Sequence, residues 1–402
     1  MSRWRAVPTW LILVGGIGSL IGVLVPSLRA QFAYSWLLAF MFFLSLGLGG
    51  WFMVLMHHLF DASWSVGIRR FLEHLAYLLP VMAVLFIPIA VFAPTLPIYP
   101  WMKIDPLTDH SLHAKQPLFT VPMFYVVAGF CFASWWLFTY KLRSWSLRQD
   151  ETGAAVCTVR MRSWSAVGIF FFAITLTLAA IMWVMALQHQ WFSTMYGVYY
   201  FAESVWTTLA TVYMITYVLQ RTGVLREVVR EETFYFLGSL LLAFTVFYAY
   251  IHFAQYFIIW NANIPEETFW YVVRERGSWW WVGMIIIFGH FFLPFLLLLR
   301  IDWKLKLPVM SFIFVWAWLM HYFDMSFNIM PAVMHPDGWV LHWLDLACLA
   351  FIGGVLTKVF LMFLAAHPAF PQKDPRFAET LKVYVPPVSA PVEPFPARGG
   401  NP

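Results

Sequence analysis

Charge is what this sequence has least of. Asp, Glu, Lys and Arg make up 11% of its 402 residues, where a soluble domain carries roughly 25%. Hydrophobic residues account for 61% and aromatic residues for 20%. So few charges cannot cover a globular surface in water, which excludes a soluble protein and, outside the C-terminal end, a disordered one. What remains is a polytopic membrane protein, in which lipid replaces water around most of the surface. Cysteine is equally sparse. Cys131, Cys157 and Cys348 lie far apart, with no CxxC or CxxCH. That pattern excludes a disulfide framework, a cysteine-ligated iron–sulfur cluster and c-type haem attachment. The net charge of +5 reads as basic loops on one side of a membrane, with no nucleic acid partner implied.

A spanning helix needs roughly 20 mostly apolar residues. Ten segments qualify: Pro8–Val25, Phe32–Met56, Phe71–Phe92, Leu118–Tyr140, Ala166–Leu187, Tyr196–Leu219, Phe234–Trp260, Trp280–Leu299, Pro308–Met330 and Val340–Ala366. The apolar runs are continuous, not alternating, so no span reads as a porin strand. The expected fold is an all-α polytopic membrane protein. Residues 1–31 form the first transmembrane helix and outer turn. Residues 32–165 make a first four-helix bundle up to span five, and 166–187 is span five, which completes it. Residues 188–335 make a second bundle of spans six to nine. Residues 336–366 carry the tenth helix and 367–402 a Pro-rich cytoplasmic tail.

Basic residues sort by loop. Nineteen lie on the side of the N-terminus, from Arg3 and Arg5 through Arg69, Arg70, Arg143 and Arg162 to Lys373, Arg376, Lys382 and Arg398. Five lie on the other side: Arg29, Lys103, Lys115, Arg274 and Arg276. The positive-inside rule then puts both termini in the cytoplasm, as expected in a bacterial inner membrane. Arg3 and Arg5 before an apolar run also fit a signal peptide, but removing that segment inverts the parity the charges support. Two outer loops, Pro94–Gln116 and Asn261–Ser278, are too long for simple connections. They read either as interface belts or as a docking surface for an outer partner. The tail from His367 onward lacks apolar periodicity and reads as an extended arm along a cytoplasmic surface or a neighbouring subunit.

Charges in hydrocarbon cost several kcal/mol, so each asks for an explanation. An outer group comprises Glu203 on span six, His252 on span seven, His321 and Asp324 on span nine, and His342 and Asp345 on span ten. The last two pairs both read H-x-x-D, which sets each His beside its Asp on one helical face. Such a cluster holds and hands on protons near neutral pH, or meets a quinone headgroup. Glu203, Thr207 and Thr211 follow at i, i+4 and i+8 and suggest a hydroxyl wire. Hydrogen-bonded helix packing is the preferred reading for the threonines. An inner group comprises His57, His58, Asp61, Glu73, His74 and Lys358. Within it a Lys358–Glu73 pair is one expectation, and a plain Glu73 ion pair with Arg69 and Arg70 is another. His290, near the middle of span eight, reads as hydrogen-bonded between helices or as a bridge between the two groups.

Three functions are compatible with these groups. A quinol-linked or proton-conducting subunit of a redox complex uses an apolar slot with a few polar groups, and ionisable half-channels. A b-type cytochrome needs facing axial histidines, and no span has two at the usual separation, leaving only His252 with His321. A solute transporter uses broken helices at the midplane, an arrangement that Pro294, Pro331 and Gly47–Gly50 do not form.

Four stretches carry a resemblance. They are Trp191–Ala202 (WFSTMYGVYYFA), Tyr256–Thr268 (YFIIWNANIPEET), His290–Phe295 (HFFLPF), and Trp64–Val66 leading to Arg69, Arg70 and Glu73. Together they resemble the NrfD-like, polysulfide-reductase-type membrane subunits, and most nearly the F-type subunit of alternative complex III, a quinol:electron acceptor oxidoreductase. The likeness runs from span two to span ten. The run Gln188–His189–Gln190 departs from the acid and Pro–His usual before Trp191. The resemblance implies ten helices, as two four-helix bundles with a flanking helix at each end. It implies partners: a second NrfD-like membrane subunit, an iron–sulfur subunit, c-type cytochrome subunits and small membrane subunits. It implies a proton-path and scaffold role beside a sibling better suited to oxidise quinol. No tightly held cofactor is expected, only exchangeable quinone or menaquinone, and lipid.

Overall fold

In a computed structural model of the chain, residues 2–96, 98–332 and 334–381 are described. Every regular element among them is helical, and there is no strand. The long elements are α1 (Ser2–Leu24), α2 (Arg29–Leu59), the broken α3 (Val66–Phe92), α4 (Val121–Thr152), α5 (Ala155–Trp183), α6 (Tyr196–Arg221), α7 (Glu231–Ala262), α8 (Trp279–Leu299), α9 (Leu307–Ile329) and α10 (Trp343–Ala366). Among the described residues nine of these, all but α6, are long and apolar enough to cross a membrane, which makes the chain a multi-pass membrane protein. The side chains of Arg3 and Arg5, and all of residues 382–402 with Lys382 and Arg398, lie outside the described residues.

Burial separates inner from outer helices. In α2, 94% of the most apolar window is buried, against 28% in α1 and α10. A helix that is apolar all round and buried all round belongs at the centre. α2 packs on α3, α5, α6, α9 and α10, while α1 lies mainly along α10. Glycine makes the closest of these approaches possible. A Cβ at Gly49 would stand 2.1 Å from Thr208 Oγ1 and 2.6 Å from Ser204 O, so only a hydrogen fits where α2 crosses α6. This is small-residue packing of the kind that holds membrane helices together without a hydrophobic drive between them.

Proline explains the irregular helices. α3 is cut into Arg69–Ala76, Leu79–Leu85 and Ile87–Phe92, and Pro80 and Pro88 stand in the first turns of the latter two. A proline there loses only an N–H that has no intrahelical partner. α8 contains a π-turn over Ile286–Phe292, directly before Pro294. Proline in a helix interior clashes with the carbonyl four residues back, and a wider turn accommodates it. The indole of Trp316 caps the Gly289 carbonyl at 2.7 Å.

Two boundaries differ from expectation. α4 and α5 run on through the stretch read as an inner loop, turning only at Gly153 with φ 65°. α10 starts at Trp343, which leaves His342 just before it as the N-cap. The described part of the tail, His367–Leu381, lies across helix ends of the chain itself, where Asp374 pairs with Arg69 and Arg376 with Asp61. Gln372 N–H donates to Asp150 Oδ1 at 2.9 Å.

Candidate functional site

α6 carries the carboxylate at the heart of the molecule. Its polar residues Glu203, Ser204, Thr207, Thr208, Thr211 and Thr216 are all buried, enclosed by α2, α5, α7 and α9. Glu203 Oε2 accepts from His290 Nε2 at 2.6 Å and its Oε1 from His321 Nδ1 at 2.5 Å, with all three side chains fully buried. The π-turn of α8 aims His290 at Glu203, and π-bulges recur at functional sites. The His290 ring lies flat between Trp206 and Tyr248, at centroid distances of 3.8 and 3.7 Å. His321 contacts acceptors on both nitrogens: the Glu203 carboxylate through Nδ1, and the Phe42 carbonyl at 3.2 Å through Nε2. Ser45 already donates to that carbonyl at 2.6 Å and lies 2.9 Å from His321 Nε2.

The expected His321–Asp324 pair is replaced by two different pairings. His321 turns to Glu203, while Asp324 Oδ1 accepts from the hydroxyls of Tyr199 and Tyr248, the latter at 2.7 Å. Tyr248 OH also lies 3.3 Å from His252 Nδ1 and 3.3 Å from Tyr199 OH. Asn328 Nδ2 donates to Tyr199 OH at 3.1 Å, and Tyr196 OH donates to Asn328 Oδ1 at 2.9 Å. Asp324 Oδ2 and His290 Nδ1 are buried with no partner among the described residues. The result is two polar sets, Glu203 with His290 and His321, and Asp324 with Tyr199, Tyr248 and His252, which meet where the His290 ring stacks on Tyr248.

His290 therefore belongs to this outer cluster and does not bridge to the inner group. His342 and Asp345 form a separate cap. The His342 ring accepts from Leu344 N at 3.2 Å, and Asp345 Oδ2 accepts from His342 N at 3.3 Å. Asp345 further accepts from Ser35, and from Tyr322 OH at 3.1 Å. Helix capping, not a shared helical face, explains that H-x-x-D. The threonines do not form a wire. Thr211 donates back to Thr207 O at 2.8 Å and accepts from Trp318 at 2.9 Å, while Thr207 Oγ1 has no partner among the described residues.

The inner group divides differently from the expected Lys358–Glu73 pair. Glu73 lies 3.0 Å from Arg70 and 3.2 Å from Arg69, and Arg70 also pairs with Asp150. Lys358 stands exposed on α10 with no carboxylate in ion-pair reach among the described residues. His74 is fully buried beside Phe360 and Phe363. Its two ring nitrogens have no partner among the described residues. These residues lock helix ends together and make no continuous path inward from Glu203.

The outer loops are built onto the cluster. The amphipathic helix Pro265–Arg274 packs on the adjoining ends of α7 and α8, and the Trp191 indole donates to Glu267 O at 3.1 Å and stacks on Trp270 at 4.6 Å. His189 Nε2 lies 2.9 Å from Asp109 Oδ2, and that hydrogen bond is the main cause holding the Asp109 carboxyl below its usual range. Arg274 is buried, and burial pulls its pKa down to about 9, which leaves it a cation at neutral pH. Below it a cleft of about 560 Å³ opens between α7 and α8, lined by Tyr248, His252, Tyr271, Arg274, Gly283 and Phe291 among others. Composition gave no sign of this cleft, and the only hint of Arg274 as a site residue was its place among five outer basic residues. No protein-family model matches the chain, and no curated protein matches it.

Proposed function

We propose that the chain is an integral membrane subunit of a respiratory quinol:electron acceptor oxidoreductase of the alternative complex III kind, providing a proton path and a scaffold. The carrying observation is the fully buried His290–Glu203–His321 triad, whose His290 ring stacks on Tyr248, the tyrosine that hydrogen-bonds both Asp324 and His252 at a cleft wall. Acids and imidazoles cost energy in a membrane interior. Two adjoining hydrogen-bonded sets, each with one unpartnered atom, are what a proton carrier needs and what a mere anchor does not. In this reading α6 is the tenth span, less apolar than the other nine because of its polar lining. The packing of α2 to α5 and of α6 to α9 supports two four-helix bundles, with α1 and α10 paired at one flank. Both termini face the cytoplasm of a bacterial inner membrane. The partners are a second NrfD-like subunit, an iron–sulfur subunit, c-type cytochromes and small membrane subunits.

Asp324→Asn tests this reading in the intact complex. The amide still accepts from both tyrosines but cannot take up a proton. Slowed proton-coupled quinol turnover with normal assembly supports the path, and unchanged turnover overturns it. A second reading, a quinol-binding anchor of another NrfD-type oxidoreductase, is favoured by the cleft itself. A haem held by His252 and His321 is disfavoured, because both nitrogens of His321 are engaged.

A further inference from the structure

Arg143 is a buried cation whose donors go unused. It is 6% exposed, near the end of α4, and its Nη1 is buried with no partner among the described residues. The guanidinium carbon lies 4.5 Å from the Tyr77 ring centroid and 4.3 Å from that of Phe363. Ring faces attract the charge but offer no lone pair to its in-plane N–H groups. The neighbouring carboxylates are held by other arginines: Glu73 by Arg69 and Arg70, Asp150 by Arg70, and Asp374 by Arg69. His74 lies 6.0 Å from the same Phe363 ring, fully buried, with both ring nitrogens unpartnered among the described residues. His367 stands 6.1 Å from His74, ring to ring. A buried charge is stabilised by an anion that hydrogen-bonds it.

The flank of α4 leading to Arg143 is aromatic and open. Trp136 lies two turns earlier on the same face. It is exposed and stacks on the exposed Tyr140 at 5.9 Å. Leu79–Leu85 of α3 packs on α4, and its Val84 is exposed as well. Tyr77 and Phe363 are half-buried, so the guanidinium lies one side-chain layer below this surface.

We propose that Arg143 anchors a phospholipid site, its guanidinium donating to the phosphate of an anionic headgroup beside His74 and His367, with the acyl chains along Trp136 and Tyr140. The planar fork of Arg matches phosphate in a bidentate pair, and basic pockets between membrane helices suit acidic headgroups. The choice of a lipid over a free phosphate rests on the aromatic flank, because a free ion has nothing to place against Trp136, Tyr140 and Val84. The choice of an anionic lipid rests on Arg70 and the two imidazoles nearby, which disfavour the cation of a zwitterionic headgroup. The site depends on the chain's place in a membrane and on no redox partner.

The test is native mass spectrometry of the purified full-length chain, loaded with dioleoyl phosphatidylglycerol or dioleoyl phosphatidylcholine. The parent should retain the glycerol lipid roughly fivefold or more over the choline lipid, the factor that one basic contact supplies. Arg143→Gln should lose that preference. Arg148→Gln, at an exposed arginine on the same helix, should keep it. Equal retention of the two lipids by the parent overturns the proposal and needs no variant, so a chain that fails to fold as Arg143→Gln does not shield it. An unchanged preference in folded Arg143→Gln overturns it too. Inorganic phosphate that raises the thermal midpoint as much as phosphatidylglycerol at equal phosphate concentration overturns the lipid assignment.

Discussion

Glu203 and His290 meet at 2.6 Å in a part of the molecule where neither side chain has any exposed surface. Removing one partner of a buried pair leaves an uncompensated charge and costs about 3–5 kcal/mol. Glu203→Ala should therefore lower the thermal midpoint of the detergent-solubilised protein markedly. Glu203→Gln, which keeps volume and one acceptor, should lose less stability and yet abolish proton-coupled turnover in the complex. Equal midpoints for Glu203→Ala and the parent would show that the pair is not formed.

Gly49 sets the distance between α2 and α6. A methyl group there meets the Thr208 side chain and the Ser204 carbonyl well inside van der Waals contact. Overpacking of this sort costs roughly 1–3 kcal/mol. Gly49→Ala should lower the unfolding midpoint. Adding Thr208→Ala should recover only part of the loss, because the Ser204 carbonyl remains. Gly129→Ala, at a position with open space around it, is the control and should change nothing.

Lys358 stands apart from Glu73, so Lys358→Ala should leave folding, assembly and turnover at parental values. Arg69 lies buried between Glu73 and Asp374, and Arg69→Met should loosen the tail. Limited proteolysis read by mass spectrometry checks both, since faster cutting after His367 is expected for Arg69→Met alone.

Asp109 links pH to the outer loop. Its carboxyl is held below the usual range, chiefly by the hydrogen bond from His189. A depressed carboxyl contributes stability above its unfolded pKa and loses that contribution as pH falls through the folded value. Stability should fall on acidification below about pH 4, the ordinary carboxylate range, and the slope should be shallower in Asp109→Asn. Matching acid-side slopes in melts across that range would contradict the linkage.

The apolar runs made nine helices readable, because each is long and apolar enough to cross a bilayer. Span six was also readable as a helix, yet its importance rests on what hydropathy penalises, the buried Glu203 and its hydroxyl neighbours. His252, His321, Asp324 and Glu203 could be named from their cost in lipid, but their pairing could not. H-x-x-D fixes spacing on one helix, whereas both His321 and Asp324 choose partners on other helices. The same spacing at His342 and Asp345 turned out to be a cap, because the helix began three residues later than the apolar run suggested. The WFSTMYG and NIPEET stretches stood out in the sequence, and the bond from Trp191 to Glu267 O shows them in contact. Arg274 escaped notice because a basic residue in a polar loop is ordinary until the loop folds inward.

The wide turn before Pro294 stores one extra residue relative to an α-helix. Shortening α8 by a single residue there would restore a regular ladder and swing everything on its outer half by about 100° around the helix axis. Gly283 and Ile286 would leave the cleft wall while the half of α8 from Leu293 on stayed in register. The bulge thus acts as a phase-setter, fixing which rim of α8 looks at the cleft and which looks at Glu203.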